Sequence, residues 1–352
     1  MSAVDIPFRQ SSLPVALGRA LSVVPVLLAT VLAPAAVAAP QARAGCAAVA
    51  LPVSHRPGAG VAHQIAGQLC APRTGHSRTV QLLLHGATYG RDYWDPPSLP
   101  VGQSHTVAAN AAGTSTLAID RIGSGASSHP DPAEVDTPAN LHVLRQVVHG
   151  LRGGRFGATF TRVVLVGHSY GAVLATGLAA EPGLVDGLVV TGLIHRFDTG
   201  FNDFLATLGP ARDQGGRFAS LAPGYLTTRP NVRSMMYHSA QAAPATVSAD
   251  EARLKQTFTN AEGTTAGPAL QASKSVKVPV LLMIGSRDRL FCTATPCSAS
   301  DGAGLQAERA QWTTGDYQQL VVADTGHSLA LHRNASSGFA AINRWVRQRF
   351  PG

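Results

Sequence analysis

The sequence predicts an α/β fold built on a mostly parallel sheet, and three observations support this prediction. Short apolar runs alternate with stretches of helical spacing along most of the chain. The run over 80–84 is apolar except for Gln81, as expected for a strand covered by helices on both faces. Finally, Ser169 stands between two glycines, directly after one apolar run and before a helical stretch.

Composition excludes several classes of protein. The chain has 352 residues, of which 45% are hydrophobic and 14% are charged, and this apolar share is too high for a disordered chain. Its 36 glycines and 23 prolines show no period, which excludes collagen. The formal net charge is +8, but the basic residues are scattered singly, so nucleic acid is not an expected partner.

The first residues have the pattern of a targeting segment. A basic start precedes an apolar stretch over 21–39 that ends in the small residues 36–38, Ala-Val-Ala. This pattern predicts a signal peptide over 1–38, hence a secreted protein with no stable membrane insertion after cleavage. The alternative is a membrane anchor, which Pro25 and Pro34 disfavour.

Export to an oxidising compartment predicts disulfide bonds. The chain has four cysteines, which allow three pairings. We favour the local pairs Cys46–Cys70 and Cys292–Cys297, because both close short loops. The alternative is four free, buried thiols.

The first part of the core, over 39–194, contains six predicted strands and two predicted helices. The first two strands flank a Pro/Gly turn, which predicts a hairpin at the start of the domain. The last strand is followed by a segment of different composition, rich in Gly, Ala, Ser, Thr and Arg. The strands are expected at 47–53, 62–69, 80–84, 116–119, 163–166 and 188–191, and the helices at 141–151 and 169–180.

An insertion over 195–275 separates this part from the second part of the core, over 276–352. The insertion has no strong strand run but contains amphipathic pieces, such as 201–208 and 250–259, so we expect a helical cap rather than a disordered linker. After it the sheet resumes, with strands expected at 278–284 and 319–322 and a closing helix at 337–350.

Gly167-His168-Ser169-Tyr170-Gly171 matches the G-x-S-x-G pattern in the context of a strand, a sharp turn and a helix. A serine at such a turn takes a strained backbone conformation, and the flanking glycines let neighbouring backbone pass without a Cβ clash. Ser169 is therefore the predicted nucleophile, and the alternative is a tight turn with a helix-capping serine.

A serine nucleophile needs a base and an orienting carboxylate. His327 follows the last predicted strand in a Gly-containing loop, and Asp288 is the first carboxylate after the strand before it. Asp301 and Asp316 compete for the role of the acid, whereas Asp324 lies so close to His327 that it is better interpreted as a turn former.

The tetrahedral intermediate needs two preorganised N–H donors. We expect one from Tyr170, directly after the nucleophile, and the other from Ala87, in the loop after the predicted strand 80–84. Four further residues are candidates for substrate contacts, although each also has a structural interpretation: His85, Tyr89, Trp94 and His195. The charge pair Asp120-Arg121 is expected to be a structural clamp.

Taken in chain order, these residues resemble the α/β-hydrolase fold superfamily. The segments Leu84–Ala87 and Tyr93–Asp95 look like those of secreted actinobacterial members. The resemblance implies an eight-stranded, mostly parallel sheet with a cap inserted after the sixth strand, and neither a metal nor an organic cofactor. Relatives that open epoxides or remove halide carry aspartate where this chain carries Ser169, so the resemblance favours acyl transfer.

Together, these inferences predict a secreted, monomeric serine hydrolase that cleaves small-molecule carboxylic esters through an acyl-enzyme. The alternatives on the same three residues are a lipase, a lactonase, a thioesterase and a peptidase. A perhydrolase side activity, as in cofactor-free haloperoxidase-like relatives, also fits these residues. From a different class, a non-catalytic binding protein of this fold, or a binder of anionic surfaces, remains open.

Overall fold

The computed structural model describes residues 45–351, except 74, 76 and 298–302. The predicted signal peptide over 1–38 therefore lies outside the described residues. No helix among the described residues is both long enough and apolar enough to cross a bilayer.

Among the residues that the structure describes, eleven strands form two sheets. In chain order the strands are β1 (Cys46–Val53), β2 (His63–Cys70), β3 (Thr79–Leu84), β4 (Ser115–Ile119), β5 (Arg162–His168), β6 (Gly187–Thr191), β7 (Leu208–Pro210), β8 (Tyr225–Thr228), β9 (Phe258–Thr259), β10 (Val280–Gly285) and β11 (Tyr317–Val322).

The large sheet has eight strands in the order β1-β2-β4-β3-β5-β6-β10-β11. The pairs β1–β2 and β2–β4 are antiparallel and the other pairs are parallel, which confirms the predicted fold class. Strands β3, β5 and β10 are buried along their whole length apart from Arg162. This burial explains their continuous apolar runs, because helices cover both faces of the sheet.

Nine α-helices connect or cover the strands. They are α1 (His105–Ala111), α2 (Thr137–Arg152), α3 (Tyr170–Ala179), α4 (Thr199–Ala206), α5 (Pro244–Ala249), α6 (Asn260–Thr264), α7 (Gly267–Gln271), α8 (Ala303–Arg309) and α9 (Ala335–Arg349), as found in the described part of the chain.

Helix α2 begins four residues before the predicted stretch 141–151. The carboxylate of Asp136 accepts a hydrogen bond from the backbone N–H of Ala139, and Pro138 stands in the first turn. Asp136 is thus the N-cap of α2. The prediction began too late because the first turn has few of the apolar residues whose spacing indicates the rest of the helix.

The cap between β6 and β10 is not purely helical, and this corrects the prediction. Besides short helices it contains a three-stranded antiparallel sheet in the order β7-β8-β9. These strands have two to four residues, too few to show an alternating pattern in the sequence. The stretch over 250–259, predicted to be an amphipathic helix, is a π-helical turn over Asp250–Leu254 followed by β9.

Both predicted disulfide bonds are present, Cys46–Cys70 and Cys292–Cys297. The first joins the paired ends of β1 and β2, where the two cysteines lie opposite each other in the antiparallel register. The second closes a five-residue separation shortly after β10. The described chain has no free cysteine.

Candidate active site

Ser169 lies at a sharp turn between β5 and α3. Its backbone angles are φ 52° and ψ −120°, in the positive-φ region that non-glycine residues rarely adopt. The turn is tight on both sides, since a Cβ on Gly171 would collide with the backbone of Leu84 and His85, and one on Gly167 would collide with Ala172. The hydroxyl of Ser169 does not cap α3, and the residue is partly exposed.

Asp288 and His327 are in direct contact. Nδ1 of His327 donates a hydrogen bond to Oδ2 of Asp288 over 2.9 Å, and the other carboxylate oxygen accepts one from the N–H of Leu290 over 2.9 Å. Both side chains are nearly inaccessible to solvent. The bond to the carboxylate fixes the imidazole orientation and directs Nε2 away from Asp288.

Ser169 and His327 lie at the same edge of the sheet, because β5 and β11 are both parallel to β10 and β6 and end there. The imidazole of His168, the neighbour of Ser169, has its ring centroid 4.8 Å from that of His327. No hydrogen bond joins the Ser169 hydroxyl to His327 in the part of the chain that the structure describes. Such bonds are often long before a substrate is bound.

The backbone amides expected to bind an oxyanion are free to do so. Ala87, Tyr170 and Ser169 line one cavity. Neither the N–H of Ala87 nor that of Tyr170 donates a hydrogen bond among the described residues. A Cβ on Gly86 would make a tight contact of 3.1 Å with the Cβ of Ser169, so glycine at this position helps the loop after β3 to pass close to the serine.

None of the four residues predicted to contact substrate lines the cavity that contains Ser169. His85 is fully buried and holds the loop: its Nδ1 donates to Gly86 O over 2.9 Å, and its Nε2 accepts from the N–H of Arg121 over 3.0 Å. Burial, and secondarily the charge of Arg121, holds the pKa of His85 well below its usual value.

The side chains of the other three predicted contacts also pack against or hydrogen-bond to protein groups instead of facing the cavity. Trp94 is buried against Tyr93. His195 lies between Glu308, 2.9 Å from its Nδ1, and the hydroxyl of Ser273, 2.9 Å from its Nε2. Tyr89 belongs to a buried polar network described next. Sequence alone could not separate these interpretations, because burial depends on residues far away in the chain.

A buried ion pair, which the sequence analysis missed, connects the cap to the loops around the site. Arg233 and Asp250, both from the cap, have side chains with 0% exposure and an N–O distance of 2.7 Å. Arg233 donates to the hydroxyl of Thr88 over 2.7 Å, and Asp250 accepts from the hydroxyl of Tyr89 over 2.9 Å. The Tyr89 hydroxyl also lies 2.7 Å from the hydroxyl of Ser328.

This network therefore holds residues next to Ala87 and next to His327. Thr88 has a positive φ of 59°, and the bond from Arg233 supports this strained position in the loop after β3. The Arg233 guanidinium also lies 4.2 Å from the centre of the Tyr89 ring, a cation–π contact.

His332 is a second residue that the sequence analysis missed. Its Nε2 accepts from the N–H groups of Gly326, over 3.0 Å, and His238, over 3.1 Å, and its Nδ1 donates to Ser328 O over 2.8 Å. It thus holds the backbone on both sides of His327 and ties this loop to the cap. Burial lowers the pKa of His332 to about 4, which keeps the ring neutral and able to accept these bonds.

Asp120 and Arg121 do not pair with each other, which corrects the expected clamp. Asp120 binds Arg91 over 2.6 Å, and Arg121 binds the buried Glu262 of the cap. The Arg121 guanidinium lies 4.7 Å from the centre of the Tyr170 ring, under the start of α3. Both arginines therefore act as structural links between the sheet and its loops.

We found no group of three or more His, Cys, Asp or Glu side chains that could hold a metal ion among the described residues. The candidate site thus consists of a strained serine, a hydrogen-bonded Asp–His pair, two free amides and a cavity. This set can support nucleophilic attack on a carbonyl carbon.

The chain is similar in structure to several solved hydrolases. One is a monoacylglycerol lipase from Paleococcus ferrophilus, with a TM-score of 0.57, 15% identity and coverage of 82% of this chain and 99% of that one. Another is a thermophilic esterase from Thermogutta terrifontis, with a TM-score of 0.56, 17% identity and coverage of 86% and 98%. A thioesterase domain from the curacin biosynthetic pathway has a TM-score of 0.52, 18% identity and coverage of 85% and 99%.

At these identities the similarity establishes the fold and not the substrate. A comparison with curated proteins found no match. The model of the alpha/beta hydrolase family matches residues 81–342, a segment that runs from β3 through the cap to α9 and includes Ser169, Asp288 and His327. This chain therefore belongs to the alpha/beta hydrolase family.

Proposed function

We propose that the protein is a serine hydrolase that cleaves carboxylic esters. The observation that carries the proposal is the Asp288–His327 hydrogen bond of 2.9 Å beside a serine held at φ 52° on the wall of a cavity. Buried carboxylate–imidazole pairs orient a base, and a strained, partly exposed serine is the form of the nucleophile that such a base serves.

In the proposed mechanism, the Ser169 oxygen attacks the ester carbonyl carbon and passes its proton to Nε2 of His327. The Asp288 carboxylate stabilises the resulting imidazolium, and the amides of Ala87 and Tyr170 bind the oxyanion. The C–O bond to the alcohol then breaks, and His327 gives the proton to the leaving oxygen. Water attacks the acyl-enzyme by the same route, which releases the acid and restores Ser169.

A thioester would follow the same steps with a thiol as the leaving group. Because the same serine, base and amides can act on a thioester carbonyl, thioesters are the second candidate substrate. We further propose that the protein is exported, because the start of the chain has the pattern of a signal peptide and both disulfide bonds are formed.

Replacement of the nucleophile tests the proposal. Ser169→Ala is expected to lower kcat by roughly four to six orders of magnitude, as for other serine hydrolases, while leaving the unfolding midpoint nearly unchanged. Ser220→Ala, at an exposed serine of the cap, is the matched control and should retain full activity. The readouts are hydrolysis of p-nitrophenyl acetate and covalent labelling by a fluorophosphonate.

Undiminished hydrolysis by Ser169→Ala would reject Ser169 as the nucleophile. Absence of both hydrolysis and labelling in the unmodified protein would instead favour a non-catalytic binding protein of this fold.

A further inference from the structure

The cavity beside Ser169 has a volume of about 380 Å³, within the range of small-molecule sites. Ser169, Ala87 and Tyr170 lie on its wall, so a carbonyl group bound at the candidate site would place one of its substituents inside. The chemistry of the wall therefore indicates which substituent fits.

The wall is almost entirely apolar. Five of the chain's 11 phenylalanines line it: Phe197, Phe201, Phe204, Phe258 and Phe291. In the part of the chain that the structure describes, no Asp, Glu, Lys, Arg or His side chain lines the cavity. The hydroxyl of Tyr170 lies 2.7 Å from that of Thr137 and is engaged there. A charged substituent would lose its hydration in this cavity and find no partner, so the site favours an uncharged, apolar group.

One face of α4 and its flanks supplies much of this wall. Phe201, Phe204 and Leu205 follow the spacing i, i+3, i+4, which places them on one side of α4, and Leu208, at the start of β7, also lines the cavity. The start of the helix is tied to the loop after Asp288, because the carboxylate of Asp198 accepts from the N–H groups of Thr199 and Ala294. The aromatic face is thereby fixed toward the cavity.

The cavity runs from a buried wall to an open mouth. Phe291, Leu193 and Phe258, on the wall, are between 1% and 5% exposed. Phe197 and Leu205 also line the cavity but are 44% and 42% exposed. Among the described residues only Val61, at 68%, is a comparably exposed large apolar side chain, and it does not line the cavity. Apolar surface thus continues from Ser169 out to the mouth.

We propose that this cavity binds the acyl chain of the substrate, an uncharged alkyl chain of medium length that extends from Ser169 toward Phe197 and Leu205. The assignment rests on the proposed function. In an acyl-enzyme the acyl group stays bonded to Ser169 while the alcohol must leave, so an enclosing apolar wall suits the group that stays. Apolar burial there stabilises the transition states of both half-reactions.

The substrate test uses p-nitrophenyl acetate, octanoate and benzoate, together with an ester of the same length as octanoate that ends in a carboxylate. Each buried methylene contributes a factor of about four, so kcat/KM is expected to be about a hundredfold or more higher for octanoate than for acetate. The ester with a terminal carboxylate should be at least about tenfold worse than octanoate.

Variants at the wall and the mouth localise the effect. Leu226→Trp places a larger side chain in the cavity from the half-buried position 226 of β8 and should lower the octanoate-to-acetate ratio of kcat/KM at least about tenfold. Phe197→Ser and Leu205→Ser should lower the same ratio by a smaller factor. Val61→Ser removes a still more exposed apolar side chain elsewhere and should leave the ratio unchanged.

The outcomes separate this inference from the proposed function. Loss of both ester hydrolysis and fluorophosphonate labelling would overturn the proposed function itself. Hydrolysis of acetate without a gain for octanoate, or a preference for benzoate or for the terminal carboxylate, would overturn only the acyl-chain assignment. A gain that follows the length of the alcohol in a series of acetate esters would assign the cavity to the alcohol instead.

Discussion

The two halves of the cap are held in place by different forces. The apolar half, residues 195–210, contributes α4 and its aromatic face to the cavity. The ionic half, residues 225–262, contains the buried Arg233–Asp250 pair and the capping-box residue Glu262, which binds Arg121. Apolar contacts are non-directional and tolerate adjustment, whereas buried, hydrogen-bonded charges require one geometry.

This difference indicates which part of the cap supports the loops around the site and which part faces the cavity. The ionic half reaches Thr88, Tyr89 and Ser328, which are neighbours of the proposed oxyanion amide and of the proposed base. The apolar half faces the space where we place the acyl chain. We therefore expect damage to the buried ion pair to impair stability and turnover, and changes at residues that line the cavity, most of them from the apolar half, to alter substrate preference.

The largest effect is expected from breaking the buried pair. Asp250→Ala leaves the Arg233 charge buried without its partner and should lower the free energy of unfolding by about 3–5 kcal/mol, measured by urea denaturation. The double variant Arg233→Met/Asp250→Leu removes both charges and should recover most of this loss.

Turnover distinguishes a positioning role from a purely structural one. If the pair positions the loop of Thr88, the double variant should be stable but have a lower kcat with little change in KM. Recovery of both stability and kcat in the double variant would show that the ionic half does no more than hold the cap in place.

An intermediate effect is expected from acid. The folded protein protonates His332 only near pH 4, whereas an unfolded chain takes up this proton near 6.5. Stability should therefore be independent of this group above about pH 6.5 and fall between about 6.5 and 4, by about 2–3 kcal/mol from His332. Urea denaturation at pH 7 and pH 4.5 measures the loss.

The matched variant is His332→Gln, whose amide can donate and accept but does not titrate in this range. Its acid-induced loss should be smaller by about the same 2–3 kcal/mol, because other buried histidines such as His105 continue to contribute. An unchanged acid loss in His332→Gln would show that protonation of His332 does not contribute to the loss of stability in acid.

The smallest effect is expected at the anchor of the apolar half. Arg196 donates to the backbone oxygens of Phe291 and Thr295, in and beside the loop closed by Cys292–Cys297. Replacing both cysteines by serine should cost about 2 kcal/mol of stability and raise KM for octanoate more than it lowers kcat.

The other disulfide provides the control. Cys46–Cys70 closes a longer loop, so the corresponding double serine variant should cost more, about 3–4 kcal/mol, but leave KM unchanged. Equal changes in KM for the two variants would show that the loop after Asp288 does not hold the apolar half in position.

Much of the fold could be predicted from local sequence, and the cap could not. The buried strands of the large sheet are marked by continuous apolar runs, and Ser169 is marked by glycines that sterics require at that turn. Strands β7, β8 and β9 carry no such mark, since each is too short for a periodic signal and pairs with residues distant in the chain. Likewise, nothing near Arg233 in the sequence indicates that Asp250 lies beside it.

By itself, the sequence determined the class of the fold and the serine at the turn after β5, and it favoured the candidates Asp288 and His327 and the two local disulfide pairs. Only the tertiary structure decided that Tyr89 and His85 are buried and hydrogen-bonded to the loops around the site, and that the cap combines an apolar wall with a buried ion pair. The physical reason is that periodicity and turn chemistry act between neighbours in the chain. Burial and charge pairing, in contrast, depend on residues that approach each other only after folding.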